Sequence, residues 1–431
     1  MVVDFAATLD RERKTERNVV LVGFKRQGNL GLGYLASTLR ARGYCVEILD
    51  FEDPYEAVRG AIDRLDPVLV GFSLIFQFYI HRFNKLISRL RADGVRAHFT
   101  MGGHFPSLSH EHTLRLVPDL DSVVRFEGEL TLLELVDALG LGQEWREIAG
   151  IAYRGADGEC IVTAMRPLLR DLDELPYPDR DVAPRMMLGL PTAQLLASRG
   201  CARTCSFCSI HMFYRTAPGK VVRTRKPAEV VREMCMLYDN HGVRLFLFQD
   251  DDFPIFGPVW HRWVREFLGC LRESGLADRV IWKINCRADA VDPELFAEMR
   301  DAGMFFVYMG LESGTDEGLR TLNKLITVEQ NVHAVELLKK LDILFDFGFM
   351  LLEPSTTFDS IFENVRFLRR IVGDGYAPAE FCRMVPYDGT PIKDQLAREG
   401  RLRGDVVGPD YEFLDPRLET FYREINEALN I

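Results

Sequence analysis

Three cysteines stand at Cys201, Cys205 and Cys208, inside Ser198-Arg-Gly-Cys201-Ala-Arg-Thr-Cys205-Ser-Phe-Cys208-Ser-Ile-His211. Thiolates are the preferred ligands of iron–sulfur clusters. Three of them on a [4Fe–4S] cluster leave one iron open to a substrate or cofactor. The same three with His211 also make a Cys3His set suited to tetrahedral zinc. A disulfide with one spare thiol is a third reading, although nothing marks the chain as secreted. A second group of chemistry-bearing residues is Gln249-Asp250-Asp251-Asp252-Phe253. Adjacent carboxylates are costly if buried unpaired, so each must meet a cation, a proton or solvent. Arg287 offers a planar fork that binds a carboxylate in bidentate fashion. A local ion pair to Asp289 or Glu312 would occupy it equally well. Glu312-Ser313-Gly314 and Glu353-Pro354 complete the candidates.

The elements around these residues must bring them together. An apolar run (Ala193, Leu195, Leu196, Ala197) precedes the cysteines, and Gly200 permits a sharp turn. Strand patterns recur near 192–198, 243–249, 279–286, 304–310, 344–351 and 379–385. Helical stretches fill 227–240, 259–274, 293–302, 328–341 and 359–372. The alternation predicts a partial (β/α)6 TIM barrel, whose chemistry gathers at the carboxyl ends of its strands. The candidates fall at those ends in order: the cysteines, the aspartates, Arg287, Glu312 with Ser313, and Glu353. Upstream, strands near 18–24, 46–50, 68–73, 97–103 and 122–126 alternate with helices. They predict an α/β, doubly wound, Rossmann-like sheet, with any ligand beyond the strand ends. Those ends carry Gly28, Gly31 and Gly33, then Ser73, Gly102-Gly103 and Glu127-Gly128-Glu129. The glycines do not fit G-x-G-x-x-G, which weakens a nicotinamide reading. The expected boundaries are 1–145 for the sheet and 146–190 for a linker with a hairpin-like stretch at 148–162. The barrel is expected over 191–390 and a short tail over 391–431.

With Phe207 just before the third cysteine, the motif resembles that of radical S-adenosylmethionine (SAM) enzymes. Gly310-Leu-Glu312-Ser313-Gly314 and Pro386-Tyr-Asp-Gly-Thr-Pro391 strengthen the likeness. Residues 15–140, through Asn29-Leu-Gly31-Leu-Gly33-Tyr-Leu35, Gly102-Gly103 and Glu127-Gly128-Glu129, resemble the cobalamin-binding domain that precedes many such barrels. The resemblance implies a cluster on Cys201, Cys205 and Cys208, with SAM at the open iron. Phe207, Gln249, Arg287, Glu312 and Ser313 are implied SAM contacts, Arg287 for its carboxylate. Gly31, Ser73, Gly102, Gly103 and Glu127 are the implied cobalamin contacts. The histidine motif Asp-x-His-x-x-Gly of more distant cobalamin proteins is absent, so both a bound cobalamin and a fold that has lost it stay open. The chain also departs from the family at Asp250-Asp251-Asp252, where Gly-Gly-Glu is usual, and at Leu352-Glu353, where a glycine-rich turn is usual. The resemblance further implies an external electron donor of flavodoxin or ferredoxin type and a small-molecule substrate. The expected outcome is radical dehydration or deoxygenation of an aminoglycoside-type sugar in antibiotic biosynthesis, as in radical SAM diol dehydratases. Asp250, Asp251, Asp252 and Glu353 would then be acid and base, and their charge would suit a polyamine. Cobalamin-dependent C-methylation is the alternative; a non-catalytic cobalamin sensor is a remote one.

Composition limits the field. At 431 residues, 47% apolar and 27% charged, the chain is of globular type and exceeds one ordinary domain. A net charge of −11 argues against general nucleic-acid binding. No apolar run approaches the roughly 20 residues of a membrane span. Residues 1–18 lack an apolar signal segment, so a cytoplasmic location is expected. The other six cysteines are scattered, without the spacings of a disulfide framework or a second cluster.

Overall fold

The computed structural model describes residues 18–180, 184–378 and 380–429. Strand β1 (Asn18–Gly23) is buried almost throughout, so its residues serve two cores in alternation. Val19 and Leu21 pack under helices Leu30–Ala41 and Glu129–Leu141. Val20 and Val22 face helices Tyr55–Leu65 and Ile80–Ala92. Around it lie β2 (Cys45–Asp50), β3 (Leu69–Ser73), β4 (His98–Gly102) and β5 (Ser122–Val124). They form a parallel sheet of order β2-β1-β3-β4-β5, whose topological switch falls between β1 and β3. The hairpin β6 (Ile151–Arg154) and β7 (Cys160–Val162) continues this sheet antiparallel to β5. Two short helices, His104–Leu108 and His110–Leu116, sit between β4 and β5, where no helix is anticipated.

The second sheet begins with β8 (Arg185–Met187), antiparallel to β9 (Leu190–Leu195). A two-residue ribbon, β10 (Ser198–Arg199) with β11 (Arg223–Thr224), follows. Then come β12 (Leu245–Phe248), β13 (Ile281–Arg287), β14 (Met304–Glu312), β15 (Leu344–Leu352) and β16 (Cys382–Arg383). From β9 to β16 the strands run parallel in sequence order and curl into the half-barrel expected. The five helices fall where the periodicity puts them. Three open on proline at the first turn: Pro227–His241, Pro258–Glu273 and Pro293–Arg300. Val328–Lys340 and Phe358–Val372 open on capping boxes at Thr327 and Thr357. The sixth strand pairs over two residues only, because Pro378 and Pro386 bracket it without N–H donors. Of the expected 379–385, residue 379 lies outside the described residues. Among the described residues no helix is long and apolar enough to cross a membrane.

Candidate active site

The chain turns from β10 into the cysteine loop at Gly200, whose φ is +87°. A Cβ there would lie 2.0 Å from the Val221 carbonyl oxygen, so only glycine makes this turn. The loop is pinned from outside. Ser206 donates its backbone N–H to Leu322 O (3.0 Å) and its hydroxyl to Thr321 O (3.0 Å). Asn323 donates to Thr204 O (2.6 Å), and the Ile392 N–H to Ser206 O (3.0 Å). All three thiols are free, Cys205 buried and the others half-buried. Burial, with Asp252 nearby, pushes the Cys201 thiol up to about 12. Burial pushes Cys208 up to about 11. A bound metal reverses this by deprotonating its thiol ligands outright. Three soft sulfur donors fit an iron–sulfur cluster. Among the described residues no three His, Cys, Asp or Glu side chains are drawn together as a ready metal site. His211, on the following helix, has its Nδ1 buried without a hydrogen-bond partner.

The acidic trio divides into three environments. Asp250 is fully buried and accepts from the Ser198 hydroxyl (2.5 Å) and the Ala197 N–H (3.2 Å). Burial raises it to about 7 despite those bonds. Asp251 accepts from the Gly200 N–H (3.2 Å) and stands exposed on the wall of the main cavity, where desolvation by the surrounding protein raises it to about 6. Asp252 lies 3.5 Å from Arg203, which also holds Asp289 at 3.1 Å. Glu353, expected as an acid or base, is turned into its own loop, where it accepts from the Ser355 N–H (2.7 Å) and hydroxyl (2.6 Å).

Of the expected SAM contacts, Arg287 pairs with Asp289 (2.9 Å), donates to Lys324 O, and brings Nη1 within 3.6 Å of Cys205 Sγ. Glu312 pairs with Lys324 Nζ at 2.9 Å. It sits in the left-handed region, φ +64°, at a register shift ending β14. A non-glycine residue held there is strained, as functional sites often are. Ser313 faces away into the structure, within 3.2 Å of Thr315 and 3.4 Å of Asn364. Phe207 packs on the barrel core, and Gln249 lines the cavity.

That cavity, about 470 Å³, lies between the strand ends of the first sheet and the barrel. It brings together Gly31, Ser73, Gly102, Gly103 and Glu127 from one side with Gln249 and Asp251 from the other. Gly103 has φ +109°, and a Cβ on it would lie 2.3 Å from Leu74 O. The Glu127 carboxylate, expected as a cofactor contact, is committed elsewhere. It accepts from Arg223 (2.8 Å), Arg199 (3.3 Å) and the Leu169 N–H (2.9 Å). Burial opposes its charge, but the two guanidiniums hold its carboxyl below the ordinary range. Arg199 also binds Glu129 (2.7 Å) and stacks over Tyr34 at 4.7 Å. Asn29 and His104 line the cavity too, and the sequence reading did not select them. Asn29 caps the helix Leu30–Ala41 through Oδ1, which leaves Nδ2 buried and unpartnered, a donor suited to a cofactor amide or phosphate. Burial lowers His104 to about 4, so its imidazole is neutral.

A B12 binding domain model matches residues 19–136, and a Radical SAM superfamily model matches 195–368. The "Uncharacterized methyltransferase PH0819" of Pyrococcus horikoshii is 30% identical over 374 residues, covering 84% of this chain and 77% of its own. Anaerobic magnesium-protoporphyrin IX monomethyl ester cyclase of Rubrivivax gelatinosus is 30% identical, but this chain spans only 61% of its length. Cytidylyl-2-hydroxyethylphosphonate methyltransferase of Streptomyces wedmorensis is 26% identical, covering 91% of this chain and 80% of its own. The structure of the cobalamin-dependent SAM radical enzyme OxsB superposes with a TM-score of 0.77, covering 96% of this chain and 67% of its own. At 19% identity that likeness is one of fold. A Radical SAM domain implies a [4Fe–4S] cluster and SAM, and the B12-binding domain supports cobalamin as the further cofactor. The chain belongs to the radical SAM superfamily, in the branch whose barrel follows a B12-binding domain.

Proposed function

We propose that this chain is a cobalamin-dependent radical SAM methyltransferase acting on a small molecule, with electrons from a flavodoxin- or ferredoxin-type donor. The observation that carries this reading is the 470 Å³ cavity, walled by the glycines of one sheet and the strand ends of the other. When bound, cluster and SAM supply a 5′-deoxyadenosyl radical that takes hydrogen from an unactivated carbon, and cobalamin supplies the methyl group. Cys201, Cys205 and Cys208 hold the cluster. Arg287, beside Cys205, meets the SAM carboxylate, and the Glu312–Lys324 pair faces the ribose. Gly31, Ser73, Gly102 and Gly103 would give cobalamin a wall almost free of side chains, and Asn29 Nδ2 would be a donor toward it. Asp251, exposed on the cavity wall and raised to about 6, can hold or release a proton there.

Dehydration needs both an acid and a base at the substrate, and of the four acidic candidates only Asp251 lines the cavity. Asp250 is sealed behind Ser198, Asp252 is paired to Arg203, and Glu353 is bonded to Ser355. The names of the methyltransferases above favour methylation as well. Anaerobic reconstitution with hydroxocobalamin, followed by desalting and a visible spectrum, tests the reading. One cobalamin per chain is expected; a protein that desalts colourless apart from its cluster would return the reaction to dehydration.

A further inference from the structure

The lumen-facing rows of the half-barrel are fixed by its register. Gln194, Leu247, Lys283 and Phe306 stand side by side on β9, β12, β13 and β14. One level nearer the cysteines, Asn285 neighbours Tyr308, which neighbours Asp346. The alternate residues of β13, Trp282, Ile284 and Cys286, belong to the apolar core between sheet and helices. Lys283 therefore points inward, in the same row as Gln194, which lines the 470 Å³ cavity.

Lys283 is half-buried, and among the described residues its ammonium has a single hydrogen-bond partner, Asn285 Oδ1 at 2.7 Å. Asn285 is itself oriented, because its Nδ2 donates to Asp250 O at 3.1 Å. An ammonium carries three donors, so two remain unused. The other buried cations of the site are treated differently. Arg199, Arg203, Arg223, Arg287 and Lys324 are each ion-paired to a carboxylate. Among the described residues Lys283 has no carboxylate within ion-pair distance; burial lowers it to about 8, and the charge of Asp250 beyond that distance opposes the shift. A half-buried cation without a directly paired counter-ion is costly unless an anion arrives to meet it.

We propose that Lys283, aimed by Asn285, is the anchor for an oxyanion of the substrate, a phosphate, phosphonate or carboxylate held in the barrel lumen. This rests on the reading of the cavity as the place where a small molecule reacts, and it names the substrate's chemical class. It also replaces the polyamine expected from the acidic trio, of which Asp250 and Asp252 are engaged by Ser198 and Arg203 and only Asp251 lines the cavity. The two free N–H groups of Lys283 give charge-assisted bonds to the anion.

The test uses the full chain reconstituted with its cluster and titrates inorganic phosphate, methylphosphonate and acetate by calorimetry, against K283Q and K283R. Saturable binding is expected for at least one probe, and the tightest of the three names the oxyanion. K283Q should weaken it about tenfold, the loss of one charged hydrogen bond, and K283R should stay within about threefold of wild type. Equal binding by wild type and K283Q would overturn the proposal, as would no saturable binding by wild type to any probe. If K283Q does not fold, K283A with the same titrations replaces it. Cobalamin stoichiometry does not involve Lys283, so the spectrum of the reconstituted protein reports separately on the function itself.

Discussion

Each cysteine of the loop has one role that no neighbour can assume, since the other cysteines lie outside it. Replacing Cys201, Cys205 or Cys208 by Ala should abolish 5′-deoxyadenosine formation, assayed by chromatography after dithionite reduction. Full SAM cleavage by any of the three variants would remove that loop from the chemistry. Asp250 allows a test of the buried acid. Its carboxyl is raised in the folded state above its unfolded value of 3.8 to about 7. A raised acid contributes stability below its unfolded pKa, and that stability is lost as pH rises through the folded one. Between pH 5.5 and 8 the wild type should therefore lose roughly 2 kcal/mol more than Asp250→Asn, at about 1.4 kcal/mol per pH unit. Urea unfolding of the cluster-free protein at the two pH values measures this. Parallel slopes for the two proteins would mean that Asp250 is ionised in the folded state. The three aspartates were legible in sequence as a group in need of partners. Their separate fates were not, because these depend on Ser198, Gly200 and Arg203, which lie about fifty residues away.

At the scale of elements, the turn after β4 sets the cavity wall. Gly103→Ala would place a methyl group against Leu74 O and force a side chain into φ +109°. A destabilisation of roughly 1–3 kcal/mol is expected, together with weaker cobalamin retention on desalting. Unchanged urea midpoint and retention would show that the wall tolerates a side chain. The elements themselves were readable because parallel strands buried on both faces leave unbroken apolar runs, such as Val19 to Val22. The barrel helices were readable from period and from first-turn prolines. The helices His104–Leu108 and His110–Leu116 were not, being short, polar and interrupted by Pro106. The hairpin β6–β7 was visible as a hairpin, but its place on the edge of the first sheet depends on pairing with β5.

Over the whole molecule, the two sheets are joined by a buried ion network. Arg199 of the barrel binds Glu127 and Glu129 of the first unit, and Arg223 adds a second bond to Glu127. These partners are 70 to 96 residues apart, which hides the network from any local reading. Glu127, a cobalamin contact by the resemblance, lines the cavity, and its carboxylate also ties the cavity's two walls. Removing one member of a buried network leaves unpaired charge, at a cost of about 3–5 kcal/mol. Arg199→Met should show that loss in urea unfolding, and Arg199→Met with Glu129→Gln, which leaves the Glu127–Arg223 pair intact, should recover most of it. A single substitution without effect would mean that the interface is held by apolar packing alone. The central claim is that this interface encloses one cobalamin above a SAM-cleaving cluster, and the most direct measurement is a combined one. The anaerobically reconstituted, desalted protein is assayed for cobalamin by its visible spectrum and, after reduction with SAM, for 5′-deoxyadenosine. Stoichiometric cobalamin with 5′-deoxyadenosine formation is the result predicted. A protein that cleaves SAM and retains no cobalamin would contradict it.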